Sequence, residues 1–428
     1  MQQKHIVVLG GGFAGLTFVQ KFRHPDFRIT LVDKQNHHLF QPLLYQVATA
    51  GLSMQDIAEP LRTVLASRHD ITILMDSVNA IDVEGKTVTL NSQILSYDYL
   101  IIGLGMVSSY FGNDHWAPHC IGLKSLNEAR KIRERVLGAF EKAEITGDEG
   151  IRQRLMTVVV VGGGPTGVEM AGALSELTKR VFKADFKRIQ PDQARIVLIE
   201  ASPRLLGMYH EKSSTNAQLE LEQLGVELHL GKVVEDIRPH QVVFGGETVE
   251  AETIVWTAGV EASPVLRDLP VKKDSRGRLH VAPDGSLPGY PECFALGDIV
   301  NLVDAKGQTV PGVSPAAIQM ATHAAGLLRK ELRGKLTPDS RPPFVYRDKG
   351  KMATIGRSAA VAEIGKLKFQ GLFAWLLWLG VHLFFLIGFR NRASVLIHWF
   401  AAYVNYRPAA RVIESTYEPQ VNSNGKFR

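Results

Sequence analysis

A chain of 428 residues can bury a large core and is long enough for two or three domains. Its composition, 45% hydrophobic and 21% charged, is that of a folded protein and excludes a disordered one. The two cysteines, Cys120 and Cys293, exclude a disulfide framework and a metal site built from several thiolates, and we expect no metal ion.

The net charge of +6 comes from one end of the chain. From Ile364 to Ile413 there is no acidic residue, and six residues are basic: Lys366, Lys368, Arg390, Arg392, Arg407 and Arg411. Subtracting these six charges from +6 leaves the remainder neutral in sum. A neutral body with a basic, apolar end argues against nucleic-acid binding and favours the anionic surface of a phospholipid membrane.

The first nucleotide-binding pattern is a strand, a glycine-rich turn and a helix, from His5 to about Phe22. In its G-x-G-x-x-G turn, Gly10 permits the tight turn, Gly12 lets a pyrophosphate approach the backbone, and Gly15 lets the helix pack on its strand. The next predicted strand ends at Asp33, whose carboxylate can accept both ribose hydroxyls. Because the first strand begins almost at the first residue, we expect no signal peptide and a catalytic body that faces the cytoplasm.

The same pattern returns from Val158 to about Phe182, with three glycines in the corresponding places: Gly162, Gly164 and Gly167. Its partner carboxylate is Glu200, at the end of the next predicted strand. A carboxylate there repels the 2′-phosphate of NADPH and therefore favours NADH. Arg204 keeps NADPH open as the alternative, since an arginine can accept that phosphate.

Two dinucleotide sites need two occupants, and the N-terminal site holds FAD in most proteins with this arrangement. The stretch Ala295–Asp298 resembles the motif whose aspartate binds the flavin ribityl chain in two-dinucleotide flavoproteins. The resemblance assigns Gly297 and Asp298 to FAD, and a helix N-cap is the alternative role for Asp298. We therefore expect FAD as the cofactor in the first site and NADH as the substrate in the second.

Several stretches narrow the resemblance to the type II, non-proton-pumping NADH:quinone dehydrogenases of the pyridine-nucleotide:flavin oxidoreductase superfamily. These stretches are Asn36–Thr49, Gly162–Glu169, Arg347–Gly350 and Met352–Gly356. Disulfide reductases of the superfamily carry a cysteine pair against the flavin, but this chain has no cysteine from Phe40 to Leu52. Sulfide:quinone reductases also need paired cysteines. A quinone acceptor without sulfur chemistry remains.

The resemblance implies catalytic roles for Glu169 and Gln319. Glu169 matches a family glutamate that mediates between the hydride and quinone halves of the reaction, and a first-turn residue stabilised by the helix dipole is the alternative. Gln319 matches the second of two glutamines in the quinone-site segment, whereas Pro315 replaces the first. His323 could relay protons, although a packing histidine is the favoured interpretation.

The stretch from Phe369 to Phe389 contains no charged residue and is long enough to span a bilayer. Basic residues flank it on both sides, so no charge asymmetry fixes an orientation. A second apolar segment, Ala393–Tyr406, carries aromatic residues suited to an interface. We expect a pair of helices lying in the leaflet at the cytoplasmic face of the bacterial inner membrane, with a single span as the alternative.

The predicted fold class is α/β. It contains two Rossmann-type dinucleotide-binding domains, the FAD domain split around the NADH domain, and a C-terminal membrane-associated region. The expected boundaries are 1–122 and 276–335 for the FAD domain, 123–152 for a linker helix, 153–275 for the NADH domain and 336–428 for the C-terminal region with its tail.

The sequence therefore predicts an NADH dehydrogenase that transfers a hydride from NADH to FAD and two electrons on to a membrane quinone, without proton pumping. The alternatives are a membrane-tethered redox sensor that binds FAD and NADH, and a ferredoxin-type reductase. Whether the quinone is ubiquinone or menaquinone, and whether the chain forms a homodimer, stays open at this point.

Overall fold

The computed structural model describes residues 3–405 and 410–413. The chain divides into two compact units. Unit 1 comprises Met1–Leu39, Ala58–Ser109 and Val260–Lys349, and unit 2 comprises Phe40–Ile57, Tyr110–Gly259 and Gly350–Arg428. The predicted roles of Tyr406 and Arg407 and of the polar tail after Glu414 lie outside the described residues.

The strands, numbered along the chain, are β1 Lys4–Leu9, β2 Phe27–Asp33, β3 His37–Leu39, β4 Ala58–Pro60, β5 Ile71–Met75, β6 Val78–Asp82, β7 Thr87–Leu90, β8 Ile94–Ser96, β9 Tyr99–Ile102, β10 Met106–Ser108, β11 Ile121–Gly122, β12 Thr157–Val161, β13 Arg195–Glu200, β14 Val226–Leu230, β15 Val234–Arg238, β16 Gln241–Phe244, β17 Glu247–Glu250, β18 Thr253–Trp256, β19 Val260–Ala262, β20 Leu279–His280, β21 Ser286–Leu287, β22 Tyr290–Ala295, β23 Val300–Asn301, β24 Lys351–Ile355, β25 Ala359–Ile364 and β26 Leu367–Gln370.

The α-helices are α1 Phe13–Lys21, α2 Leu44–Ala48, α3 Met54–Ile57, α4 Leu61–Val64, α5 Leu126–Ile145, α6 Glu149–Leu155, α7 Pro165–Glu176, α8 Lys183–Asp185, α9 Glu211–Gln223, α10 Ser314–Leu332, α11 Gly371–Phe385 and α12 Phe389–Asn405. A π-helix, Leu177–Phe182, joins α7 to α8. The helix that follows the second glycine turn therefore ends at Asp185.

Unit 1 is built on a six-stranded sheet with the order β21-β22-β9-β1-β2-β5. Strand β1 is parallel to both β2 and β9, and its apolar residues from Ile6 to Leu9 are all buried. Such an uninterrupted apolar run is typical of a parallel strand whose two faces are both covered. Helix α1 connects β1 to β2 and packs on α10. This arrangement is the first of the two predicted dinucleotide-binding folds.

Unit 2 is built on a second parallel sheet, with the order β11-β18-β12-β13-β14. Every residue of β12 is buried, and α7 leads from β12 towards the adjacent strand β13. The α/β fold class with two Rossmann-type sheets is thus confirmed. Three-stranded antiparallel sheets accompany the parallel ones: β6-β7-β8 in unit 1, and β15-β16-β17 and β24-β25-β26 in unit 2.

The two apolar C-terminal segments of unit 2 form the separate helices α11 and α12. One face of α11 is buried through Ala374, Trp375 and Trp378. The opposite faces of α11 and α12 expose large apolar side chains: Leu372, Phe373, Leu376, Phe384, Leu396, Ile397 and Phe400. Among residues 3–405 and 410–413, no helix has both the length and the apolar character that a membrane crossing requires.

Helix α12 is fastened to α3 by polar contacts within unit 2. The buried carboxylate of Asp56 accepts a hydrogen bond from Ser394 Oγ at 2.5 Å and lies 3.1 Å from His398 Nδ1. A third contact joins α12 to α2, where the Trp399 indole N–H donates to Gln46 Oε1 at 2.8 Å. These contacts hold the inner face of α12 against the body of unit 2.

Candidate functional site

The first glycine turn has the geometry of a phosphate-binding turn. Gly10 has φ +97°, a conformation that side chains disfavour. A Cβ on Gly15 would overlap the carbonyl oxygen of Gly10, whereas a Cβ on Gly12 would point into open space with no atom within 4 Å. Gly12 therefore leaves free the position where a pyrophosphate approaches the N-terminus of α1.

Asp33, at the end of β2, is fixed by this turn. One of its oxygens accepts the Gly11 N–H at 2.6 Å, and the other accepts the Gln35 N–H at 2.7 Å. Burial nevertheless raises the pKa of the Asp33 carboxyl above its usual value. Each oxygen has a second lone pair, so the carboxylate can still accept ribose hydroxyls. The residues present fit an adenine dinucleotide.

Gly297 and Asp298 lie in the same unit, in the turn between β22 and β23. A Cβ on Gly297 would be 3.6 Å from Ala14 Cβ, which places this turn beside the start of α1. No helix begins at Asp298, so the N-cap alternative for this residue is wrong. The structure thus brings Gly297 and Asp298 to the predicted FAD-binding turn.

The second glycine turn repeats the first in unit 2. Gly162 has φ +110°, and a Cβ on Gly167 would overlap the Gly162 carbonyl oxygen. A Cβ on Gly164 would meet no atom within 4 Å. Glu200 then takes the place of Asp33, because it accepts the Gly163 N–H at 2.5 Å and the Ser202 N–H at 2.7 Å. The two turns therefore share their hydrogen-bond pattern as well as their glycines.

Arg204 is the residue that leaves NADPH as the alternative coenzyme. Its Nη2 donates to the Gly207 carbonyl at 2.8 Å. Its guanidinium is thus engaged with the backbone of its own loop. Glu200 remains the charged side chain that is fixed at the turn itself.

Glu169 lies deeper in α7 than the sequence suggested. The helix begins at Pro165, so Glu169 is its fifth residue, beyond the first turn, and the side chain is buried. The helix-dipole alternative is therefore wrong. Burial raises the pKa of the Glu169 carboxyl to about 8, although the Thr354 N–H points at Oε1 from 3.4 Å. Glu169 is a neutral, protonated acid at pH 7.

Gln319 lies on α10, in unit 1, and both ends of its amide are engaged. Its Nε2 donates to the Arg347 carbonyl at 2.9 Å, and its Oε1 accepts the Arg347 N–H at 3.0 Å. His323, one turn further, contacts Phe344 edge to face, and burial lowers the pKa of its imidazole. These contacts support the packing interpretation of His323. Pro315 is the second residue of α10, as a helix start allows.

The two cysteines show no sign of thiol chemistry. Both are buried, and burial raises the pKa of Cys120 to about 12 and that of Cys293 to about 11. Both side chains are therefore neutral thiols at physiological pH.

Unit 2 also contains a cavity, partly open to solvent, that the sequence did not reveal. Four aromatic residues line it, Tyr45, Trp375, Trp378 and Trp399, and Glu176 is the carboxylate among its lining residues. One signal was available: Glu176 follows Glu169 by seven residues, which places both on one face of a helix.

A chain of hydrogen bonds runs along this cavity wall to Glu169. Trp399 donates to Gln46, Gln46 Nε2 donates to the Tyr45 hydroxyl at 3.0 Å, and that hydroxyl lies 2.9 Å from Thr354 Oγ1. The backbone N–H of Thr354 then faces Glu169. Helix α12 and the buried acid on α7 are thereby connected through Gln46, Tyr45 and Thr354 of unit 2.

Two Rossmann-type sheets, each with a glycine turn closed by a carboxylate, define a protein that binds two dinucleotides. The sequence model of the pyridine nucleotide-disulphide oxidoreductases matches residues 4–324, and that of the NDH2 C-terminal domain matches residues 349–407. This chain belongs to the type II NADH:quinone oxidoreductase family.

The relatives are similar over nearly the whole chain. The type II NADH:quinone oxidoreductase Ndh of Mycobacterium tuberculosis is 41% identical over 421 residues, which are 95% of this chain and 89% of that protein. NdhA of the same organism is 41% identical over 92% of this chain and 86% of its own length. The structure of NDH2 from Plasmodium falciparum in complex with NADH has a TM-score of 0.88 at 19% identity, covering 95% of this chain and 99% of that one.

The two glycines of the first turn allow a matched test. Compared as FAD-free proteins, Gly12→Ala and the wild type should have free energies of unfolding within about 0.5 kcal/mol of each other, because the added Cβ meets open space. The variant should nevertheless lose FAD, since the methyl group takes the position of the pyrophosphate. Gly15→Ala should fail to fold, because its Cβ overlaps the Gly10 carbonyl oxygen. Absorbance of bound flavin and thermal melting measure both effects, and full flavin content in Gly12→Ala would contradict the assignment.

The raised pKa of Glu169 makes stability depend on pH. The folded carboxyl, with a pKa of about 8, keeps its proton at pH values where the unfolded carboxyl, at 4.5, has lost it. This group therefore contributes most to stability below pH 4.5, and its contribution is lost as the pH rises towards 8.

Glu169→Gln, which cannot ionise, should gain on the order of 1–4 kcal/mol over the wild type at pH 8 relative to pH 5. Denaturant unfolding at both pH values measures the difference. Glu222→Gln, an exposed change on α9, is the matched control and should show no such gain. An equal response in the two variants would show that Glu169 is ionised in the folded protein.

Proposed function

We propose that this chain oxidises NADH through bound FAD and passes two electrons to a membrane quinone, without pumping protons. The observation that carries this proposal is the pair of dinucleotide turns, each closed by a carboxylate, in a chain with the family relationship described above. The quinone acceptor is supported by the name of the Mycobacterium tuberculosis relative, a type II NADH:quinone oxidoreductase.

The turn of unit 1 holds FAD, and the turn of unit 2 holds NADH. Gly10, Gly12 and Gly15 admit the FAD pyrophosphate, Asp33 accepts its ribose hydroxyls, and Asp298 with Gly297 meets the flavin side of the cofactor. In unit 2, Gly162, Gly164 and Gly167 admit the NADH pyrophosphate, and Glu200 accepts the ribose hydroxyls. When bound, FAD supplies the redox chemistry, accepting a hydride from NADH and yielding two electrons to the quinone.

FAD binding, NADH binding and membrane association are assigned to separate parts of the chain by the predicted domain boundaries. Residues 1–122 and 276–335 form the FAD domain, 153–275 form the NADH domain, and 123–152 link the two. Residues 336–428 supply the membrane-associated end. The chain's own contribution to the reaction is to bind, orient and exclude water around the reacting groups.

Glu169 acts as a positioning residue between the two halves of the reaction. Its buried carboxylic acid is neutral at pH 7, so it adds no charge beside the nicotinamide end of the NADH site. It also belongs to the hydrogen-bond chain that reaches Tyr45, in the segment whose sequence resembles the flavin-covering part of the family.

The aromatic cavity of unit 2 is the quinone site that its chemistry favours. Flat aromatic walls suit a quinone ring, and the apolar lining suits its isoprenoid tail. Gln319 stays a predicted quinone contact, and a quinone carbonyl would have to compete there with the two hydrogen bonds to Arg347.

The exposed apolar faces of α11 and α12 lie on the cytoplasmic surface of the cell membrane. Contiguous exposed apolar side chains of this kind mark interaction surfaces, and the neighbouring basic residues Lys366, Lys368, Arg390 and Arg392 suit anionic lipid. A quinone can then enter from the lipid without crossing water.

The test of the proposed function is the oxidation of NADH by the purified flavoprotein, measured under anaerobic conditions with and without a short-tailed ubiquinone or menaquinone. NADH alone should bleach the flavin once, and added quinone should restore its colour and sustain turnover. A flavin that NADH bleaches but no quinone restores would instead favour a redox sensor or a reductase with a protein acceptor.

Glu200 predicts the choice of nicotinamide coenzyme. NADH should reduce the flavin at least about 100-fold more efficiently than NADPH, since a carboxylate beside a 2′-phosphate costs several kcal/mol. Glu200→Ser should lower this preference at least about tenfold by removing the repulsion. Stopped-flow measurement of flavin bleaching gives both ratios. Equal efficiency with the two coenzymes in the wild type would indicate that Arg204 binds the 2′-phosphate of NADPH.

The exposed faces of α11 and α12 predict membrane binding. The triple variant Leu376→Ser, Ile397→Ser and Phe400→Ser should lose most binding to vesicles that contain anionic lipid, while turnover with a short-tailed quinone is kept. High salt should release part of the wild type, because it screens lysine and arginine contacts to lipid. The control exchanges Met75, Ile94 and Val303, equally exposed residues of unit 1, for serine. Equal vesicle binding by the two triple variants would show that the exposed faces of α11 and α12 do not bind the membrane.

A further inference from the structure

Glu176 ends α7 inside the cavity of unit 2 and has a single hydrogen-bond partner. The side chain is buried, and its Oε1 accepts the backbone N–H of Arg357 at 3.0 Å. Among the described residues no other donor reaches this carboxyl group. A π-helix begins directly after Glu176, and its residues Leu177 and Val181 line the same cavity. Such departures from α-helical geometry occur frequently at functional sites.

The indole N–H of Trp378 has no hydrogen-bond acceptor among the described residues, but it is closed off from the cavity space. Trp378 is 1% exposed, and its indole nitrogen is itself buried. The acid that the cavity presents to a ligand is therefore Glu176, which lies among aromatic side chains that suit a flat ring.

We propose that Glu176 is the acid that protonates the quinone bound in this cavity. This inference rests on the proposed NADH:quinone activity. Reduction of a quinone to a quinol takes two electrons and two protons, whereas the hydride of NADH carries two electrons and one proton. Glu176 supplies the second proton: its O–H bond breaks, an O–H bond forms at the quinone oxygen, and the carboxylate then takes a proton from water.

The electrostatic surroundings suit this role. Burial raises the pKa of the Glu176 carboxyl to about 7, and the Arg357 N–H and the charges of Arg357 and Arg180 act in the opposite direction. Arg357 faces Glu176 from the turn between β24 and β25, Arg180 lies on the π-helix that follows α7, and Glu169 lies on α7 itself. A general acid works best when its pKa lies near the working pH.

The neighbouring histidine, His382, cannot act as the proton donor. His382 stacks on Trp378 with ring centroids 3.9 Å apart, and burial lowers the pKa of its imidazole to about 4. It is neutral at pH 7 and carries no proton that it readily gives up. Glu176 is the group on this cavity wall that exchanges a proton near neutrality.

Glu176→Gln separates the proton from the structural contact, because the amide oxygen can still accept the Arg357 N–H. Bleaching of the flavin by NADH should stay within about twofold of the wild type, whereas reoxidation by a short-tailed quinone should slow about 100-fold. In the wild type, the quinone step should weaken as the pH rises through about 7, and this dependence should vanish in the variant. Glu176→Asp should restore part of the rate and the pH dependence. Glu222→Gln is the control for exchange of a carboxylate for an amide.

If Glu176→Gln does not bind FAD, a second variant tests the assignment of Glu176 as the proton donor. Arg357→Gln removes a positive charge beside the carboxyl but keeps the backbone N–H. Because that charge lowers the pKa of Glu176, the pH at which the quinone step weakens should rise in this variant. An unchanged pH dependence, or a Glu176→Gln enzyme with the wild-type rate and pH profile, would overturn the assignment of Glu176 alone. A wild-type flavin that no quinone reoxidises would instead overturn the proposed function itself.

Discussion

The close approach of helix α7 to the β24–β25 hairpin is the constraint on which the site in unit 2 depends. A Cβ on Gly172 would lie 2.7 Å from the backbone nitrogen of Gly356, so only glycine allows this spacing. The approach buries the two acids that flank Gly172 on the helix and sets each against a backbone N–H of the hairpin, Glu169 against Thr354 and Glu176 against Arg357. Larger residues at the contact would open the cavity wall and return both carboxyls to water.

One helix thereby connects the parts of the proposed reaction that unit 2 contains. Its first turn begins at Gly164, in the turn assigned to NADH, and its last residue, Glu176, lines the aromatic cavity. Glu169 lies between them and is connected through Thr354, Tyr45 and Gln46 to helix α12. Burial raises the pKa of both carboxyls to near neutral pH, which suits a reaction that must deliver a proton into an apolar site.

Local patterns predicted the two sheets, the glycine turns and the carboxylates Asp33 and Glu200, because each of these features is encoded within about 40 residues of chain. The depth of Glu169 and the engagement of Gln319 depend on contacts between distant segments, which no local pattern reports. Tyr45 and Thr354, for example, meet across 309 positions of sequence. The apolar C-terminal segments were predictable as a pair, but the burial of Trp378 was not, because a hydrophobic run does not show which of its faces is covered.

Infrared spectroscopy of the buried carboxyl groups tests the central claim most directly. At about pH 5.5 ordinary carboxyls are largely ionised, whereas Glu169 and Glu176 should carry protons and contribute a carboxylic-acid C=O stretch. This band should be absent from the double variant Glu169→Gln, Glu176→Gln, and in the wild type it should disappear as the pH rises to about 9.5. Identical spectra of the wild type and the double variant in the carboxylic-acid region at the lower pH would contradict the account.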